Sequence, residues 1–74
     1  MENNKTIKFK ELAEKRVNKA INLIRLVGNL SNSNNYSYSK DDVTKVMSAM
    51  EEEIQTVKKK FAIELRKKEN TFKI

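Results

Sequence analysis

Residues 39–61 read SKDDVTKVMSAMEEEIQTVKKKF, and this stretch is the better marked of two helical segments in the sequence. Its apolar residues recur at alternating steps of four and three, at Val43, Met47, Met50, Ile54, Val57 and Phe61. Such steps place side chains on one face of an α-helix and are typical of a coiled-coil seam. The stretch therefore predicts a long amphipathic helix whose apolar face packs against another helix.

The start of this helix is marked by capping signals. Ser39 stands at the N-cap position and Asp42 follows three residues later, which resembles a capping box with Asp in place of Glu. Tyr38 and Val43 have the spacing of a hydrophobic staple across this start. Asp41 also lies in the first turn, where the helix dipole favours negative charge. These signals predict a helix over about residues 40–69.

A second apolar stripe predicts an earlier helix. Its members are Phe9, Leu12, Ala13, Val17, Ala20, Ile21, Ile24, Val27 and Leu30. Leu23 and Leu26 lie beside the stripe and widen it. Thr6 is expected to cap a helix that spans about residues 7–30. The alternative is an end at Gly28 in the left-handed conformation.

The two predicted helices are joined by a short connector over about residues 31–38. A short connector favours an antiparallel helical hairpin, here within one domain over residues 1–74. A lone hairpin would leave Leu23, Leu26 and Leu30 half exposed, and pairing of two hairpins would cover them. We therefore expect an all-α fold that forms a four-helix bundle as a homodimer, with a higher oligomer as the alternative.

The composition excludes several kinds of site. The 74 residues include no Cys and no His, which excludes thiolate metal sites and His-based acid–base catalysis. Glu51–Glu53 do not suggest a metal site either, because three consecutive helical residues point in three directions. The chain also lacks a recognisable nucleophile–base pair and a phosphate-binding Gly loop. We expect a protein that is not an enzyme and that needs no cofactor.

The sequence also predicts the cellular location of the protein. It has no run of about 18 apolar residues, as a membrane span would need. Its first residues, MENNKTIKFKEL, lack the apolar core of a signal peptide. We therefore expect no membrane association and a cytoplasmic protein.

Positive charge is concentrated towards the two ends of the chain. The net charge is +6, and residues 1–20 and 57–74 together hold 13 basic and five acidic residues. An antiparallel hairpin would bring these segments to one end, here called the basic pole, which could attract nucleic acid. Its candidate residues are Lys58, Lys59, Lys60, Arg66, Lys67 and Lys68. An ordinary solvated helix surface is the alternative interpretation.

A polar stripe accompanies the apolar one in the first helix. It consists of Asn18, Asn22, Arg25 and Asn29, at steps of four, three and four, and Arg16 precedes it. Amide and guanidinium groups in a row can bind bases, phosphates or the backbone of a partner. The polar connector adds four more candidates, Ser31, Asn32, Asn35 and Tyr36. The alternative is a structural role in turns and in hydrogen bonds between helices.

Residues 16–61 resemble a group of small proteins from bacteria, their plasmids and their phages, which share the motif R-x-x-G-N-L-S-N-x-x-N-Y-x-Y between two helices. The resemblance rests on Arg16, Arg25, Gly28, Asn29, Leu30, Ser31, Asn32, Asn35, Tyr36 and Tyr38. Ser33 stands where the group commonly has Arg. The resemblance implies a mobile-element origin, and it implies that the polar stripe and the connector act as one unit. It implies no established activity. If the chain is phage-encoded, the expected location is the cytoplasm of the host cell.

Together these features predict a small helical interaction protein that binds and modulates a protein of the host or of the mobile element. The second hypothesis is a basic accessory protein that binds nucleic acid. A third is the sequestration of a small anionic nucleotide between protomers at Arg25, Asn29 and the connector.

Overall fold

The computed structural model describes residues 3–69, and two helices account for most of them. Helix α1 is Asn4–Asn29 and helix α2 is Lys40–Glu69, with no β-strand among the described residues. The all-α class predicted from the two apolar stripes is confirmed. The chain divides into two compact units, residues 1–37 and residues 38–74, each of which contains one helix.

Helix α1 begins at Asn4 because Asn3 caps it. The Asn3 side chain Oδ1 accepts hydrogen bonds from the Thr6 backbone N–H, at 2.8 Å, and from the Thr6 hydroxyl, at 3.0 Å. Asn3 itself has an extended backbone, as an N-cap residue requires. The prediction that Thr6 caps α1 is therefore wrong: Thr6 lies in the first turn and donates to the cap.

The end of α1 lies beyond Gly28, as continuation of the apolar stripe predicted. Gly28 has no positive φ, so the alternative end with a left-handed glycine is wrong. The backbone N–H of Leu30 bonds to Val27 at 3.0 Å and that of Ser31 bonds to Gly28 at 3.1 Å. These bonds span three residues and tighten the last turn, which satisfies carbonyls that the helix would otherwise leave unpaired.

The connector is folded around Asn32. Its carbonyl accepts from the backbone N–H groups of Asn35, at 3.1 Å, and Tyr36, at 3.0 Å. Its side chain Oδ1 accepts from the Asn34 backbone N–H at 3.0 Å, which is the local bond that makes Asn a frequent turn residue. The connector therefore has a defined turn close to the end of α1.

Helix α2 starts with the predicted capping box. The Ser39 Oγ accepts from the Asp42 backbone N–H at 3.0 Å, and the Asp42 Oδ2 accepts from the Ser39 backbone N–H at 2.9 Å. Each side chain thus satisfies the other residue's free N–H, as the box requires. The predicted cap of α2 is confirmed, and the staple between Tyr38 and Val43 stays a prediction.

The surface of α2 is supported by short-range bonds. Lys45 and Asp41 form an ion pair at 3.1 Å and Lys67 pairs with Glu64 at 3.3 Å, all of them largely exposed. Exposed pairs of this kind contribute only a few tenths of a kcal/mol each, so about 0.3–0.5 kcal/mol per pair is expected here. The helix must therefore gain most of its stability elsewhere.

The apolar residues of both helices are accessible to solvent. No residue in the range 3–68 is buried, and those with intermediate exposure are Thr6, Leu12, Ala13, Val27 and Met50. On α1, Val17 is 55% exposed, and on α2, Phe61 is 52% exposed. Each helix, taken by itself, presents an apolar face that is accessible to solvent. Neither helix, as described, has the length and apolarity needed to cross a membrane.

Candidate functional site

The polar stripe predicted on the first helix is a straight row on α1, here called the polar row: Asn18, Asn22, Arg25 and Asn29. Because successive residues of an α-helix are about 100° apart, these four side chains share an arc of about 60°. Over eleven residues the row extends about 16 Å along the helix. The unbroken helix from Asn4 to Asn29 therefore places one guanidinium and three amides on one line.

The side chains of the polar row are open to solvent. All four residues are exposed, and within the described residues no hydrogen bond or ion pair holds their side chains. Arg25 offers five N–H donors, while each Asn offers both a donor and an acceptor. The row can therefore hydrogen-bond a partner without first breaking bonds inside the chain.

Arg25 has no charged neighbour along its stretch of the chain, a feature that the sequence interpretation missed. It is the only charged residue between Ala20 and Ser39. An isolated guanidinium among neutral polar groups keeps its charge available for a carboxylate or a carbonyl group of a partner. A count of charged residues along the chain would have found this signal.

Arg16 does not belong to the polar row. It lies about 160° around α1 from Asn18, on the apolar face, and one turn from both Ala13 and Ala20. Its side chain is exposed. The structure therefore separates Arg16 from the other α1 candidates, and its charge interrupts the apolar face instead.

The connector candidates differ in their roles. Asn32 is used locally, because both its carbonyl and its side chain accept hydrogen bonds that form the turn. Asn35 and Tyr36 contribute backbone N–H groups to that turn, which leaves their side chains exposed; Tyr36 is 49% exposed. The backbone N–H of Ser31 bonds back to Gly28 in α1. The turn thus follows the polar row along the chain, and Asn35 and Tyr36 belong to the same unit as α1.

The six candidates of the basic pole do not share one face of α2. Lys58–Lys60 and Arg66–Lys68 are two runs of three consecutive residues, and each run spreads about 200° around the helix. All six are exposed, and Lys67 is paired with Glu64. Arg66–Lys68 also lie in the last turn, where the helix dipole favours positive charge. Glu2 and Lys73, which the sequence adds to this pole, lie outside the described residues.

Comparison with protein-family models, with curated proteins and with solved structures finds no match to this chain. The resemblance to the group of small bacterial, plasmid and phage proteins therefore stays a prediction. The function has to be argued from the polar row, the apolar faces and the charges.

Proposed function

We propose that this protein is a non-enzymatic helical interaction protein, encoded by a bacterium or a mobile element, that assembles with itself and binds a protein partner through the polar row. The observation that carries the proposal is an exposed polar row whose side chains form no hydrogen bond or ion pair within residues 3–69, on a helix whose other face is apolar and exposed. The apolar face serves assembly, and the polar row serves recognition.

Assembly is supported by the exposed apolar side chains. Full burial of one large aliphatic or aromatic side chain stabilises a protein by about 1.5–3 kcal/mol. Leu23 and Leu26 on α1 are 56% and 60% exposed, and Ile54 on α2 is 47% exposed. An antiparallel hairpin that pairs into a four-helix bundle would bury the faces of both helices, because a single seam is too narrow for the wide stripe of α1.

Recognition of a protein is supported by the chemistry of the polar row. Arginine is enriched among the residues that dominate binding energy at protein interfaces. Asn side chains can bond both the N–H and the C=O groups of a partner's backbone. Tyr36, in the connector that follows α1, adds a half-exposed aromatic ring. We propose that the partner presents an acidic side chain to Arg25 and polar backbone groups to the amides.

The test is affinity capture from a host lysate with the full chain, followed by measurement of binding to the purified partner. Arg25→Ala and Tyr36→Ala are each expected to weaken binding by about tenfold or more. Lys19→Ala is the matched control, because it removes a cation from α1 outside the polar row. No captured protein, or equal binding by the control and the Arg25 variant, would reject the proposal.

Binding of nucleic acid is the second candidate function. It is supported by the net charge of +6 and by the exposure of the six basic residues near the end of α2. It predicts binding to DNA or RNA that weakens steeply with salt, because each phosphate contact releases a counterion. Fluorescence anisotropy with labelled duplex and single strands would measure this, and no binding at low salt would reject it.

Sequestration of a small anionic nucleotide at Arg25 and Asn29 is a third proposal, supported by the isolation of the Arg25 charge. Titration calorimetry against a panel of nucleotides would test it. The absence of heat for every nucleotide in the panel would reject it.

A further inference from the structure

Helix α2 is divided into an acidic half and a basic half. Its first 17 residues, 40–56, hold five acidic and two basic side chains. Its last 13 residues, 57–69, hold six basic and two acidic side chains. The opposite charges are therefore separated along the axis of the helix.

The charges of the two halves border the apolar seam of α2, which consists of Val43, Met47, Met50, Ile54, Val57 and Phe61. At about 100° per residue, Glu51 and Lys58 lie along one edge of the seam. Glu53 and Lys60 lie along the other edge, seven residues apart like the first pair. Each edge thus carries a glutamate that is followed, two helical turns later, by a lysine.

These border charges lack partners within their own helix. Residues three and four positions away from Glu51, Glu53 and Lys58 are all uncharged. Lys60 has Glu64 four residues on, but Glu64 pairs with Lys67 at 3.3 Å. Within the part of the chain that the structure describes, none of the four border residues forms an ion pair. Short-range pairing therefore does not explain their placement.

We propose that α2 pairs in antiparallel orientation with α2 of a second copy of this chain, about a twofold axis between Gln55 and Thr56. In this register Ile54 packs on Val57 of the second copy and Met50 packs on Phe61 of the second copy. The twofold axis repeats each contact, which gives four consecutive apolar layers. All these side chains are accessible for packing, with Ile54 at 47% and Val57 at 45% exposure.

The same register brings opposite charges together on both edges. Glu51 faces Lys58 of the second copy, and Glu53 faces Lys60 of the second copy. Both pairs are repeated by the twofold axis. In antiparallel helix pairs, a residue that borders the seam faces a residue at the equivalent heptad position of the partner helix. These charged pairs set the orientation of the two helices.

Parallel pairing is disfavoured by the same charges. It would align each seam residue with itself, but it would also place the two acidic halves side by side and the two basic halves side by side. Like charges at close range repel, and opposed helix dipoles add to the preference for antiparallel pairing. The inference rests on the proposed self-association. It specifies which helix pairs with its copy, in which orientation and in which register.

Single cysteine substitutions test the orientation, because the natural chain contains no cysteine. Met47→Cys and Glu64→Cys are made as separate full-length variants, since the proposed register places these positions opposite each other. Mild oxidation of their mixture is expected to give the mixed disulfide in at least about tenfold excess over either self-linked dimer. In antiparallel pairing the two copies of position 47 are about 25 Å apart, whereas a disulfide needs Cα atoms within about 7 Å.

Light scattering of the natural chain separates the two ways in which this test can fail. A monomeric chain would overturn the pairing together with the proposed self-association. An oligomer in which each cysteine variant links to itself, or in which no mixed disulfide forms, would overturn the α2 pairing alone.

Charge reversal tests the register. Glu53→Lys is expected to raise the dissociation constant of the assembly by about tenfold, because it turns two attractive pairs into repulsive ones. Glu52→Lys is the matched control, because its side chain points away from the seam and should leave the constant within about twofold. Combining Glu53→Lys with Lys60→Glu restores the pairs and should restore assembly. Equal effects at 52 and 53, or no restoration, would overturn the register.

Discussion

A capping residue fixes where each helix begins, because its side chain bonds a backbone N–H that the first turn leaves free. At α2, Ser39 and Asp42 are complementary, and the reciprocal bonds predicted for them are present. At α1, Asn3 and Thr6 are both able to cap. The apolar stripe begins only at Phe9, after both of them, so it does not distinguish between them. The structure selects Asn3, because the N–H of Thr6 lies where a cap finds its donor. A cap is thus predictable where only one residue fits.

The Ser39 cap gives a stability prediction. Ser39→Ala removes the acceptor for the Asp42 backbone N–H and should lower the free energy of unfolding by about 1 kcal/mol. Ser37→Ala is the control, because Ser37 lies in the connector just before the cap. Urea unfolding followed by circular dichroism at one protein concentration measures both. An equal loss in the two variants would contradict the role of Ser39.

Gly28 gives a second prediction with the opposite sign. It has no positive φ, and a Cβ added there would meet none of the described residues within 4 Å. Gly28→Ala should therefore stabilise α1 by about 0.5–1 kcal/mol, because Ala loses less backbone entropy in a helix. Thermal unfolding at fixed concentration should show a higher Tm. A lower Tm would contradict the view that Gly28 is an ordinary helical position.

The spacing of the apolar residues predicted both helices well, because helical periodicity is visible without knowing what packs against each helix. The apolar steps from Phe9 to Val27 fall within α1, with Leu30 as its C-cap residue, and the seam falls within α2. Angles around the helix were predicted less completely: Arg16 is a candidate that precedes the stripe by two residues, yet it lies on the opposite side of α1 from Asn18. The hydrogen bonds of the connector could not be predicted either, because several Asn and Ser residues compete for each turn position.

The connector yields a prediction at the scale of an element. Asn32→Ala removes the side-chain acceptor for the Asn34 backbone N–H and should loosen the turn. Hydrogen exchange by NMR is expected to show faster exchange of the amide at position 34. Asn34→Ala is the matched control, since it keeps the backbone N–H that donates. Unchanged exchange in the Asn32 variant would contradict the role of its side chain.

The whole molecule has large apolar surfaces and no buried residue in the range 3–68. Isolated helices are marginal in water, and most helical stability in proteins comes from packing of an apolar face. The identity of whatever packs on these faces could not be predicted from one chain, because periodicity states only that a face is apolar. This is the physical reason why the fold class follows from the sequence and the assembly is a proposal.

Self-association predicts that stability depends on concentration. By mass action, the Tm should rise by several degrees when the protein concentration is raised about 100-fold. Differential scanning calorimetry or circular dichroism across that range measures the shift. A Tm that stays constant over the range would contradict stabilisation by assembly.

Both tyrosines of the chain, Tyr36 and Tyr38, lie in the connector, and the chain contains no tryptophan. Each is about half exposed, at 49% and 46%. Near-ultraviolet absorption and intrinsic emission of this protein therefore originate mainly in one short stretch that follows the polar row along the chain. The unlabelled protein carries its own optical reporter there, and quenching on addition of a ligand would indicate that the ligand has reached the connector.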